Sequence, residues 1–174
     1  LIGPGGMGSS HLGQLVARTD VEVAYVCDVD AHRLAAAARV TGAGGRPAAK
    51  AVKDLRQVLD DKAVDAVWIA TPDHWHAPAT ILACEAGKHV YVEKPCSHNL
   101  REGRLMVEAA RRHKRVVQVG TQSRSTEHVM AAMKALRDGV IGEVLVAKAW
   151  NSQRRGNIGH RPPSEPPPQL DFDL

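Results

Sequence analysis

Aromatic side chains are scarce: three Trp, two Tyr and one Phe in 174 residues. So few stacking surfaces, with no recognisable binding motif, argue against a nucleic-acid partner. Cysteine is sparse too. Cys27, Cys84 and Cys96 are odd in number and lack C-x-x-C spacing. That favours buried or free thiols over a disulfide framework or a metal knot. No apolar run approaches the ~20 residues that span a bilayer, so no membrane partner is expected. Strong charge of one sign is also missing. The net charge is +4, and the basic run Arg111, Arg112, Lys114 and Arg115 reads as a solvated helix end, where cations favour the last carbonyls. A leading Met is absent. The chain opens on Leu1-Ile2, in what reads as mid-strand, so a preceding piece and any targeting signal within it are expected to lie outside these residues. What remains is a chain 44% hydrophobic, globular in composition and long enough for one domain or one and a fraction.

Short apolar strands alternate with helices. "VEVAYVCD", "VDAVWIATP", "HVYVEKP" and "RVVQVG" read as strands. Between them "DAHRLAAAARV", "DLRQVLDD", "APATILACEAGK" and "LREGRLMVEAARRHK" read as helices, with Asp30 and Asp54 as caps and Gly87 as a stop. "TEHVMAAMKALRDG" predicts a further helix and "GEVLVAKAW" a further strand. Strands apolar on both faces, joined by helices, predict a doubly wound parallel α/β sheet. The boundaries expected are 1–141 for this domain and 142–174 for the opening of a second α/β domain that stops incomplete. The proline-rich text from Asn151, "NSQRRGNIGHRPPSEPPPQLDFDL", reads as a linker or extended arm.

"GPGGMG" supplies the first motif. Gly3, Gly5 and Gly8 fit G-x-G-x-x-G, with Gly6 and Met7 between the second and third glycines. Alone the pattern is weak, but a strand stub precedes it, a helix follows, and Asp28 lies 20 residues past Gly8 at a strand end. In a dinucleotide fold Gly3 permits the tight turn, Gly5 lets backbone approach the pyrophosphate, and Gly8 lets helix and strand pack closely. Asp28 would accept from the adenosine ribose hydroxyls and repel a 2′-phosphate, which favours NAD over NADP. The alternative is an Asp capping the next turn. Arg33, on the following helix, is placed to pair with a phosphate.

Ligands of open parallel sheets bind beyond the carboxyl ends of the strands. The unusual residues gather there: Thr71 to His76 ("TPDHWH"), Glu93 to Pro95 ("EKP") and Gly120 to Arg124 ("GTQSR"). Lys94 is the candidate for chemistry. Beside a nicotinamide ring in a closed cleft, desolvation and nearby positive charge would tune it for general acid–base work. A cis Lys94–Pro95 bond is expected at such a turn. Glu93 should face away from Lys94, toward a ribose. The alternative for "EKP" is a surface strand end. His74 and His76 have H-x-H spacing, but no ordered third ligand appears, so no metal is expected. His76 reads as positioning a ribose or nicotinamide, or else as a satisfied helix-cap histidine. Trp75 reads as packing at the cleft rim, and Cys96 as an ordinary packed cysteine.

"GPGGMG", "CDVD", "ATPDHWHAPATILACEAGKHVYVEKP" and "VGTQSRS" together resemble the Gfo/Idh/MocA family of nicotinamide-dependent sugar and polyol oxidoreductases, over about residues 1 to 150. The resemblance implies a Rossmann domain followed by an α/β domain that covers the nicotinamide, holds the substrate and builds a homo-oligomer. It implies Lys94 as a catalytic residue. Thr71, Pro72 and His76 would lie near the cofactor, with Glu93 and Gln122 on the nicotinamide-ribose side. The family's aspartate and histidine of the second domain have no counterpart in these residues. A sugar, inositol or related polyol is the implied substrate class, and the activity an NAD-dependent dehydrogenase. The alternatives are an NAD-dependent glycosidase working by transient oxidation, and a non-catalytic NAD-binding module. A cytoplasmic or periplasmic location is implied, depending on any export signal.

Overall fold

Strands and helices alternate along the first 120 residues, as the apolar runs predict. The computed structural model describes every residue except 152–155, 158 and 161. Two units form: Leu1–Gly120 with Pro166–Leu174, and Thr121–Glu165.

In the first unit the strands are β1 (Tyr25–Cys27), β2 (Lys50–Val52), β3 (Ala66–Ile69), β4 (His89–Glu93) and β5 (Val117–Gly120). β1 pairs parallel with β2, and β4 lies between β3 and β5, parallel to both. Ile2 joins the two sets through parallel bridges to Cys27 and Ile69. Its amide donates to Trp68 O at 2.8 Å and its carbonyl accepts from Ala70 N at 2.9 Å. The order is therefore β2-β1-Ile2-β3-β4-β5, and the winding reverses at Ile2, where a crevice opens beyond the strand ends.

The helices are α1 (Gly6–Val16), α2 (Ala31–Thr41), α3 (Arg56–Asp60), α4 (His76–Glu85) and α5 (Leu100–Arg112). Asp30 caps α2 by accepting from the amides of His32 and Arg33, and Asn99 caps α5 through Glu102 N. Asp54 accepts from Arg56 N at the start of α3. Gly87, with φ +79°, turns the chain out of α4. Arg111 and Arg112 stand in the last turn of α5, where their charge is favoured.

Strand alternation sends apolar side chains to both faces. Leu12, Val26 and Ala37 are buried on one side, with Trp68 packed against them. Ile69, Val92, Ala83 and Met106 are buried on the other. Such two-sided burial is what near-continuous apolar strands require. Cys27 and Cys84 are free and buried. Burial pushes the Cys27 thiol up to about 12, so it packs as a small apolar group rather than a nucleophile.

Two elements differ from expectation. β2 was not predicted, because three residues reading Lys-Ala-Val are too few to show a period of two. Residues 142–150, expected as a strand, form none. Val144, Leu145, Val146 and Trp150 stand exposed. No described strand pairs with them, and strand propensity without a ladder does not hold a strand.

The second unit contains α6 (Glu127–Arg137), entered through Gln122 and Ser123, both at positive φ. Met130, Met133 and Leu136 are exposed along it. Among the described residues no helix is long and apolar enough to cross a membrane.

Candidate active site

The glycine turn is dictated by contact. Gly3 sits at φ +82°, and a Cβ there would meet Thr71 N at 2.7 Å. A Cβ on Gly8 would collide with the Gly3 carbonyl. A Cβ on Gly5 would lie 2.8 Å from Arg33 Nη1, so the guanidinium stands over the turn. Gly6 and Met7 begin α1 and are exposed. No side chain caps α1, and its first turn carries no acid. The turn amides therefore face outward as a positive end suited to an anion.

Gly3, Gly5, Asp28, Thr71 and Pro72 line one cleft of about 830 Å³ at the switch point, with Arg33, Lys53, His74 and Trp75. Asp28 accepts from Asp30 N at 2.9 Å. Burial raises its carboxyl above the ordinary range, against the pull of that amide and of Arg33. Thr71 Oγ1 is buried without a hydrogen-bond partner among the described residues. Trp68 Nε1 and Thr80 Oγ1 share that condition, but of the three only Thr71 lines this cleft.

His76 opens α4 and is 1% exposed. Its Nε2 lies 2.8 Å from Thr71 O and its Nδ1 2.5 Å from Pro95 O. The imidazole thus ties the turn after β3 to the turn after β4. Both ring nitrogens lie against backbone carbonyls, so within this unit His76 sets the two turns. The Lys94–Pro95 peptide is cis, as expected. Lys94 is exposed at the end of β4. The desolvation expected of it is not supplied within this unit.

Glu93 is 4% exposed and turns to α1. Its Oε1 lies 2.8 Å from His11 Nε2 and 3.4 Å from Tyr91 Oη, and its Oε2 accepts from Lys94 N at 3.1 Å. Trp68 stacks on Tyr91 with centroids 3.9 Å apart. A Cβ on Gly120 would strike Tyr91 Oη. Glu93 therefore sits in a packed cluster with His11 and Tyr91. Its partners His11 and Tyr91 escaped the sequence reading because no local pattern gives either a role; only the alternation of β4 puts Tyr91 on the face of Glu93. Gln122 belongs to the second unit. Among the described residues no group of three His, Cys, Asp or Glu is placed to hold a metal ion.

Residues 1–121 match the model of the GFO_IDH_MocA oxidoreductase family, described as an NAD-binding Rossmann fold. The chain belongs to this family. It is 35% identical over 150 residues to a glycosyl hydrolase family 109 protein of Saccharopolyspora erythraea, covering 83% of the chain and 32% of that protein. It is 31% identical over 161 residues to an inositol 2-dehydrogenase of Corynebacterium glutamicum, covering 91% and 46%. Its fold is similar to that of the WlbA dehydrogenase of Bordetella pertussis in complex with NADH and UDP-GlcNAcA. The TM-score there is 0.72 at 29% identity, over 79% of the chain and 38% of that structure. The chain thus spans less than half the length of these relatives. The residues present fit the family's dinucleotide: a side-chain-free cradle at Gly3 and Gly5, the Asp28 carboxylate and the Thr71 hydroxyl, unpartnered among the described residues, share one cleft.

Proposed function

We propose that this chain is the cofactor-binding part of an NAD-dependent oxidoreductase acting on a secondary alcohol or ketone of a sugar, inositol or related polyol. The observation that carries the reading is the coupling through His76. The turn holding the unpartnered Thr71 hydroxyl in the cleft and the turn holding Lys94 share one buried imidazole. When bound, the nicotinamide supplies hydride exchange with the substrate carbon. Gly3, Gly5, Gly6, Met7 and Gly8 hold the pyrophosphate by backbone. Asp28 accepts from the adenosine ribose, and Thr71 donates its hydroxyl at the ring end, beside Pro72. Lys94 Nζ takes the proton of the substrate hydroxyl on oxidation and returns it to the carbonyl oxygen on reduction. His76 sets the height of that lysine, and Glu93 fixes its backbone amide. The family resemblance assigns Gln122 to the nicotinamide-ribose side. Residues 1–141 are read as the dinucleotide domain and 142–174 as the opening of the substrate domain, through which copies associate; of the latter, Pro166–Leu174 pack back with Leu1–Gly120, while the exposed Val144–Val146 stretch and Trp150 await that sheet.

The similarity to a glycosyl hydrolase family 109 protein favours a second reading: an NAD-dependent glycosidase that oxidises its sugar transiently, eliminates the neighbouring bond and restores the hydride. Assay of the intact protein with polyols and aryl glycosides separates the two. Net NADH formation supports the dehydrogenase, and sugar release without net NADH supports the glycosidase. In either case Lys94→Ala is expected to lower kcat about 10²–10⁴-fold while NADH affinity changes little. Unchanged turnover would remove Lys94 from the chemistry.

A further inference from the structure

The last nine residues return to the first unit and line the cleft. Their path is built. Gln169 O accepts from Ala31 N and Asp171 N donates to Val29 O, each at 3.0 Å, around an antiparallel bridge of Asp30 with Leu170. Leu170 N donates to Pro167 O at 2.9 Å. Lys53 Nζ lies 3.2 Å from Asp171 Oδ2. The segment is thus fastened to the loop that carries Asp28. Phe172 lines that cleft yet is 75% exposed. It is the chain's single phenylalanine, held by a short ladder and an ion pair beside a nucleotide-sized space. An aromatic face left bare in a concave wall is suited to cover by a flat ring.

We propose that residues 167–174 are the outer wall of the adenosine end of the cleft, with Phe172 the platform on which the adenine ring lies. This rests on the dinucleotide reading above. Asp28 takes the ribose, Arg33 stands on the glycine-turn side, and Phe172 offers an apolar face where neither gives one. The ladder to Val29 and Ala31 sets the ring's position relative to Asp28. The Lys53–Asp171 pair holds the segment shut and occupies a cation that would otherwise attract a 2′-phosphate.

The test is calorimetric titration of the intact protein with ADP-ribose, which carries the adenosine without nicotinamide. Phe172→Ala is expected to weaken ADP-ribose about tenfold, and Phe172→Trp to hold it within about twofold, since base stacking on an aromatic platform is tolerant of ring type. The site is exposed, so the melting temperature should not move, and hydrogen exchange at residues 29–31 and 169–173 should slow with ADP-ribose. Unchanged affinity in Phe172→Ala, a loss that Trp does not rescue, or exchange unaffected by ligand overturns the proposal. If the parent protein binds neither ADP-ribose nor NADH, the dinucleotide reading itself falls, and this inference with it.

Discussion

Glu93 and Asp28 are both carboxylates at the carboxyl ends of parallel strands, yet their surroundings differ in kind. Glu93 is closed in by His11, Tyr91 and the Lys94 amide, beneath the Trp68–Tyr91 stack. Asp28 has one hydrogen bond among the described residues, from Asp30 N, and its carboxyl is raised by burial. The first carboxylate is satisfied by the protein, and the second is partly desolvated without full compensation. A buried polar group that the fold leaves under-partnered is costly in isolation and useful only if something else completes it. The contrast separates what holds the fold from what waits for a ligand.

Gly8→Ala should produce the largest effect, because both regions depend on the first turn. The new Cβ would collide with backbone, the Gly3 carbonyl, which no rotamer relieves. A loss of about 3 kcal/mol or more is expected. Urea unfolding measures it; a variant within about 1 kcal/mol of the parent would show that α1 can shift without cost. His11→Ala comes next. It leaves the buried Glu93 with only Tyr91 and the Lys94 amide, and should cost about 1–3 kcal/mol. NADH affinity should stay within about twofold, a change of under 0.5 kcal/mol. A large affinity loss without destabilisation would move this cluster from scaffold to ligand site and dissolve the contrast.

The sequence carried the alternation of elements, the glycine turn and Asp28 because each is a local pattern with a local cause. Lys94–Pro95 was legible for the same reason. His76 was visible as a residue, but not as a link between Thr71 and Pro95, because the two carbonyls it joins are 24 positions apart in the chain. For Glu93, alternation says which face the side chain takes and not what stands there; His11, 82 residues away, stands there. The tail was read as an arm by composition. Its pairing with Val29 and Ala31 depends on backbone groups, which leave no trace in side-chain patterning. The strand expected at 142–150 shows the converse: propensity is local, but its ladder is not.

Asp28→Asn gives the smallest and most discriminating effect. Burial raises the folded carboxyl above its unfolded value, so folding binds extra protons between those two values. The associated stability is present at low pH and is lost as pH rises through the folded value; above it the charge is a standing cost. Asparagine removes that charge and keeps an acceptor for Asp30 N. The variant should melt about 1–3 °C above the parent at pH 7. The gap should close as pH falls toward about 4, the ordinary range of an aspartate, because both proteins are then neutral at this position. NADH affinity should fall about tenfold in the same variant, since a charged acceptor makes the stronger hydrogen bonds to ribose hydroxyls. Stability gained and affinity lost together would mark Asp28 as strain held for a ligand, as opposed to His11, where stability alone is lost. A variant that loses stability at pH 7 would instead make Asp28 a cap of its own turn, with the Asp30 amide its sole purpose.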